Sequence, residues 1–237
     1  MKENKLNMKK LLCLLAVLVT AVTATVTAAD FATVGLDAGY NNYYTVNGVA
    51  RAENTSYVGF NAIKDVKYAD VYVGGTLLPS DNINQSHWVA GLGRSLDLNK
   101  TFSLRLTADV TRHQSGDVGI VSSTEAGVKL ALNNPYVTPY VRGSFDVDLH
   151  QNGFAVGLQR VQKLPYGFTI TPAAEYGNFT DYNYWSAKAT LARPVGFVTP
   201  YAEVGWVNDS FGASKYKFAT REFNDAVVVA AGLKLTF

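Results

Sequence analysis

The sequence predicts an all-β protein, a closed antiparallel barrel of about twelve strands. Three observations carry this reading. Apolar and polar residues alternate with a period of two in segment after segment, and clusters of Gly, Pro, Asn and Asp separate the segments. Beyond residue 29, no apolar run is long enough for a spanning helix. Composition agrees: 48% of the 237 residues are apolar, 12% aromatic and 17% charged, too hydrophobic for a disordered chain. A net charge of +2 supplies no basic face for nucleic acid. One cysteine cannot build a disulfide scaffold or the usual cysteine zinc sites.

The first element is not part of the barrel. Lys2, Lys5, Lys9 and Lys10 precede nine uninterrupted apolar residues, Leu11 to Val19, and a small-residue stretch ending at Ala28-Ala29. Positive, apolar, small is the order of a secretory signal peptide, cleaved after Ala29 or Ala28. A retained anchor is the competing reading; four threonines in the second half and the lack of a following basic stop favour cleavage. Residues 30–237 are then a single exported domain with 17 basic and 18 acidic residues and no cysteine.

Strands follow in order. Val34, Leu36, Ala38 and Tyr40 oppose Thr33, Asp37 and two glycines. Val71, Val73 and Leu77 oppose Asp70, Tyr72 and Thr76. The clearest run is Phe102 to Thr111, with Phe102, Leu104, Leu106, Ala108 and Val110 on one face and Ser103, Arg105, Thr107, Asp109 and Thr111 on the other. The same alternation recurs through 141–149, 185–191, 198–206 and 227–237. Short separators at 64–67, 97–100, 133–136, 164–167 and 193–196 alternate with more variable ones at 41–53, 78–86, 112–117, 149–153, 178–183 and 208–224. The count is twelve strands, with ten as the alternative. Three strand openings are alike: Tyr136-Val-Thr-Pro-Tyr140, Phe168-Thr-Ile-Thr-Pro172 and Phe197-Val-Thr-Pro-Tyr201.

Alternation alone does not say which face is wet. Export, thin apolar faces of Ala, Val, Leu and Gly, and many charges on the opposite faces all point to apolar-out. Aromatics also gather near strand ends, Tyr136, Phe168, Phe197 and Phe237 at one rim, Trp88, Phe154, Tyr184, Trp185 and Trp206 at the other. The last strand, Ala231-Gly-Leu-Lys-Leu-Thr-Phe237, resembles the closing strand of bacterial outer-membrane β-barrels, and the Val-Thr-Pro-Tyr openings resemble the small OmpA/OmpX-like and opacity-like barrels. The resemblance implies a closed transmembrane barrel with both ends periplasmic. It also implies an assembly signal at Gly232, Leu233, Leu235 and Phe237, read by the barrel-assembly machinery, and contact with outer-membrane lipid and lipopolysaccharide.

On that topology Asp37, Asp70, Arg105, Asp109, Glu125, Lys129, Arg142, Asp146, Asp148, Glu175, Lys188, Glu203 and Lys234 line the interior. Arg105, Lys129, Arg142 and Lys234 lie toward the periplasmic ends. Asp109, Asp146, Asp148 and Glu175 lie toward the outer ends, an acidic mouth that favours cations. The expected function is passive passage of small solutes, cations among them. The alternatives are a barrel plugged by ion pairs, whose loops contact surface partners, and a lipid hydrolase at His113 and Ser115. In the last, the imidazole takes the serine proton. Against the enzyme, strand phase turns both residues inward, and the echo His150-Gln-Asn-Gly153 keeps the histidine without the serine. No cofactor or metal is expected.

Overall fold

The computed structural model describes residues 33–46, 49–79, 84–114, 122–148, 150–180, 182–209 and 225–237; the signal-peptide reading of 1–29 lies outside them. The strands are β1 (Thr33–Val46), β2 (Val49–Val66), β3 (Ala69–Pro79), β4 (Asn84–Asp97), β5 (Ser103–Gln114), β6 (Ser123–Asn133) and β7 (Thr138–Asp146). They continue as β8 (Gln151–Gln159), β9 (Gln162–Lys163), β10 (Thr169–Phe179), β11 (Tyr182–Ala192), β12 (Val198–Asp209) and β13 (Asp225–Thr236). Each pairs antiparallel with its neighbours, and β13 pairs with β1, so the sheet closes.

The wall has twelve strands because β8 and β9 are one strand in one register: Gln159 faces Ala173 and Gln162 faces Ile170. The interruption lies opposite Pro172. Arg160 donates its N–H to the Pro172 carbonyl at 3.0 Å, but the proline has no N–H to return. The ten-strand alternative is thereby set aside.

Four of the five expected short separators are hairpin turns of one end of the barrel, where both described termini also lie; at the first, expected at 64–67, β2 and β3 stay paired to Val66↔Ala69 and the turn is Lys67–Tyr68. Val34 and Phe237 exchange backbone hydrogen bonds of 3.1 and 2.9 Å at that end. Asn99 and Asn134 build two of the turns, each accepting two following N–H groups on its side-chain oxygen. Gly196, at φ 62°, supplies the left-handed residue of a third. At the other end one expectation fails. Within the expected loop 41–53, residues 41–46 and 49–53 are strand: β1 and β2 stay paired to Val46↔Val49, with one irregularity at Tyr44/Thr45. Aromatic and β-branched residues there continue the strands.

Outward-facing apolar side chains are left uncovered over much of the wall. Leu106, Val110, Val128, Leu158, Val204 and Leu233 are each about half exposed. A continuous surface of that kind is unfavourable in water and suited to lipid. No described helix is long and apolar enough to cross a membrane. Outward aromatics gather toward the two ends. Trp88, Phe154, Trp185 and Trp206 stand toward the loop end, and Tyr136, Phe197 and Phe237 stand at the turn end. Phe197 and Phe237 stack with ring centres 5.8 Å apart. Tyr184 departs from the expected girdle: it points inward and is 1% exposed.

Candidate functional site

The inward set is identified by contacts that pass over an intervening strand. Tyr72 on β3 donates its hydroxyl to Asp109 on β5 at 3.1 Å, and Tyr140 on β7 reaches Glu175 on β10. Residues in register with these, and those at every second position from them, face the same side.

Three inward carboxylates organise the lining, and tyrosine hydroxyls hold each. Asp37 accepts from Tyr57 at 3.4 Å and Tyr201 at 3.2 Å. Asp109 accepts from Tyr72, and Glu175 from both Tyr140 and Tyr184. A cation attends each group. Arg142 lies 3.5 Å from Asp109 and 2.8 Å from Glu125. The Lys129 ammonium sits 3.8 Å from the Tyr140 ring centre, and that of Lys234 sits 4.8 Å from the Tyr201 ring centre. Two further pairs complete the set. Arg105 meets Asp70 at 2.7 Å and donates to Ser95. Lys188 meets Glu203 at 3.4 Å, and Glu203 also accepts from Thr190.

The tyrosines lie along the wall because glycine faces them across the strand pair. Tyr72 is in register with Gly91, Tyr140 with Gly157 and Tyr201 with Gly232. A Cβ placed at Gly91 would stand 2.5 Å from the Tyr72 ring, and one at Gly157 would stand 2.4 Å from that of Tyr140. Only glycine leaves room for a ring to lie flat over its neighbour. A cavity of about 290 Å³ remains, lined in part by Tyr140, Gln159, Glu175, Ser186, Lys188 and Glu203.

Of the residues expected on the interior, Asp37, Asp70, Arg105, Asp109, Glu125, Lys129, Arg142, Asp146, Glu175, Lys188, Glu203 and Lys234 occupy inward positions. Asp148 does not. It lies in the turn after β7 and meets Arg112 at 2.7 Å, on the outward phase of β5. The strand ends at Asp146, so the two-residue phase no longer governs position 148. The acids toward the loop end are also compensated: the Arg142 guanidinium reaches both Asp109 and Glu125.

His113 faces inward, 7% exposed, its ring stacked on His87 at 4.9 Å. Its Nε2 is 3.9 Å from Glu125. The expected serine partner, Ser115, lies outside the described residues. His150 is an exposed turn residue at φ 55°. Among the described residues, no group of three or more His, Cys, Asp or Glu is arranged to hold a metal.

The tyrosine–glycine–carboxylate pattern was not anticipated, although its traces stand in the sequence. Ala90-Gly-Leu92, Val156-Gly-Leu158 and Ala231-Gly-Leu233 sit on β4, β8 and β13. Tyr72, Tyr140 and Tyr201 each follow an aromatic by four residues, after Tyr68, Tyr136 and Phe197.

No family model matches the sequence, and no curated protein does. Solved structures do match in fold. A KdgM porin aligns over 86% of this chain and 99% of its own, at 11% identity and a TM-score of 0.54. A KdgM porin in complex with disordered oligogalacturonate gives the same coverage and TM-score at 12% identity. Outer membrane phospholipase A from Escherichia coli aligns over 86% of this chain and 92% of its own, at 12% identity and a TM-score of 0.52. Identities this low speak for architecture. In fold, the chain is a closed twelve-stranded antiparallel β-barrel, the architecture it shares with these outer-membrane proteins.

Proposed function

We propose that the barrel is a passive, porin-like channel for small hydrophilic solutes. The observation that carries this reading is the placement of the long inward side chains. Tyr72, Tyr140 and Tyr201 lie over glycines of the next strand, and their hydroxyls are spent on carboxylates of the wall. Large residues held tangentially line a passage without filling it. Eight-stranded barrels fill with side chains and 16–18-stranded ones hold open channels, so at twelve strands the lay of the lining decides.

The solute class follows from the lining, which is hydroxylic and ionised, with a small excess of acids on the inward positions. That excess favours cations weakly, since Arg142 compensates Asp109 and Glu125. Asp146 faces inward toward the same end, in register with Glu125. Gly232, Leu233, Leu235 and Phe237 form the closing strand that the assembly machinery would read. Leu233 is exposed to the lipid side, and Phe237 is clamped by β1 and Phe197.

The test is conductance of the purified protein in a planar bilayer. Discrete single-channel steps are expected, and their absence would favour the plugged barrel, whose support is the ion-pair set itself. The hydrolase reading has in its favour the shared fold with a phospholipase. Against it stands His113, buried on the inward face, away from lipid. Phospholipid hydrolysis abolished by Ser115→Ala would reinstate it.

A further inference from the structure

The outward faces of the two barrel ends differ in charge. Toward the loop end the outward phase carries uncharged polar groups, Ser86, Asn152, Asn178 and Asn183 among them. Its cation there, Arg112, is matched by Asp148 at 2.7 Å. Toward the turn end four cations stand outward: Lys64 on β2, Arg94 on β4, Arg160 between β8 and β9, and Arg193 just after β11. Register fixes their phase. Lys64 faces Val71 and Arg94 faces Leu106, both outward apolar residues. Arg160 and Arg193 donate their backbone N–H to Pro172 and Pro200, at 3.0 and 3.1 Å.

The four share one sequence setting. Lys64 is followed at alternate positions by Val66 and Tyr68, Arg94 by Leu96 and Leu98, Arg160 by Gln162 and Leu164, Arg193 by Val195 and Phe197. Each cation therefore lies just inside the last, mostly apolar, step before the turn, at the depth of a headgroup boundary. The other two strands that descend to turn-end residues keep leucine at this place, Leu132 before Tyr136 and Leu233 before Phe237. Arg94, Arg160 and Arg193 are exposed, and Arg193 lies over the Phe168 ring at 5.2 Å. Among the described residues no outward acid stands at this end; Asp65 and Asp97 are on the inward phase.

A cation that meets no carboxylate among the described residues and stands among outward apolar side chains is placed for a phosphate oxygen. We propose that Lys64, Arg94, Arg160 and Arg193 hold phosphodiester headgroups of the leaflet at the turn end and select anionic phospholipid there. This rests on the membrane-barrel fold and not on the channel reading. Lipopolysaccharide presents phosphate too, but belongs to the opposite leaflet when the short turns are periplasmic.

The experiment reconstitutes the full protein into nanodiscs of equimolar phosphatidylglycerol and phosphatidylcholine and measures the lipids retained on gentle re-extraction. The native protein is expected to retain phosphatidylglycerol several-fold over phosphatidylcholine. The variant K64Q/R94Q/R160Q/R193Q falls to near parity, and the charge-keeping K64R/R94K/R160K/R193K keeps the enrichment. The paired variants K64Q/R94Q and R160Q/R193Q each lose part of it, which keeps the test open should the fourfold variant fail to insert. Enrichment unchanged in the Gln variants overturns the proposal. So does preferential retention of lipopolysaccharide through the same residues in a parallel disc that contains it. Conductance of the same preparations reports on the channel separately, because these side chains face away from the lumen.

Discussion

Glu175 is held by two phenols from two different strands, and that arrangement keeps its carboxyl group against the inner wall of the barrel. Tyr140 and Tyr184 both donate to it, and Tyr184 is almost fully buried. Replacing both donors by phenylalanine leaves the carboxylate without those hydrogen bonds, at a cost of roughly 1–3 kcal/mol. The double variant Y140F/Y184F is expected to unfold at lower urea than the native barrel, and an unchanged midpoint would show the bonds add nothing net. The glycine opposite is as necessary as the phenol. At Gly157 a valine would place its Cβ 2.4 Å from the Tyr140 ring. Overpacking of this kind costs about 1–3 kcal/mol, and the relief available to the ring is to swing off the wall. Gly157→Val is therefore expected to lower single-channel conductance. Gly143→Val, at an outward glycine with open space around it, should leave conductance unchanged.

At the scale of strands and turns, much was legible because a two-residue period and turn chemistry are local. Phe102 to Thr111 and four of the five short separators could be read without knowing any partner strand. Three things were not local. Asp148 looked inward because it stands two after Asp146, but the strand had already ended. Tyr184 looked like a girdle residue because it adjoins Trp185, although alternation itself places neighbours on opposite faces. The pairing of Tyr140 with Gly157, and of Gly157 with Glu175, needs the register of three strands, which no single segment contains. The strand interruption at β8–β9 has an equally specific cause and can be reversed. Pro172→Val restores a donor facing the Arg160 carbonyl, one hydrogen bond worth about 0.5–1.5 kcal/mol. Slower amide exchange over 160–163 is expected, and exchange as fast as in the native protein would mean the proline is not what breaks the ladder.

Over the whole molecule the lining repeats every four wall strands. Tyrosine stands on β3, β7 and β12, glycine on β4, β8 and β13, and the carboxylate on β5, β10 and β1. The first two rows are straight, Tyr72–Gly91–Asp109 and Tyr140–Gly157–Glu175; in the third, Gly232 faces Gly39 and the acid is two residues away at Asp37. The cations break this repetition, and they decide the field inside the barrel. Arg142 serves two acids at once, Asp109 and the buried Glu125. Replacing it by glutamine exposes both charges to the lumen with no change on the outer surface. A ring of uncompensated like charge raises the local concentration of counter-ions and sets selectivity. On the proposed channel function, the native protein under a potassium chloride gradient should give a small zero-current potential of the cation-selective sign. Arg142→Gln should increase it, Arg142→Lys should hold it near the native value, and Asp109→Ala with Asp146→Ala should bring it toward zero. Removing one partner of a buried pair can cost about 3–5 kcal/mol, so the glutamine variant is also expected to unfold in less urea. A potential that ignores Arg142 while stability falls would mean the pair holds the wall together but does not face the permeating ions.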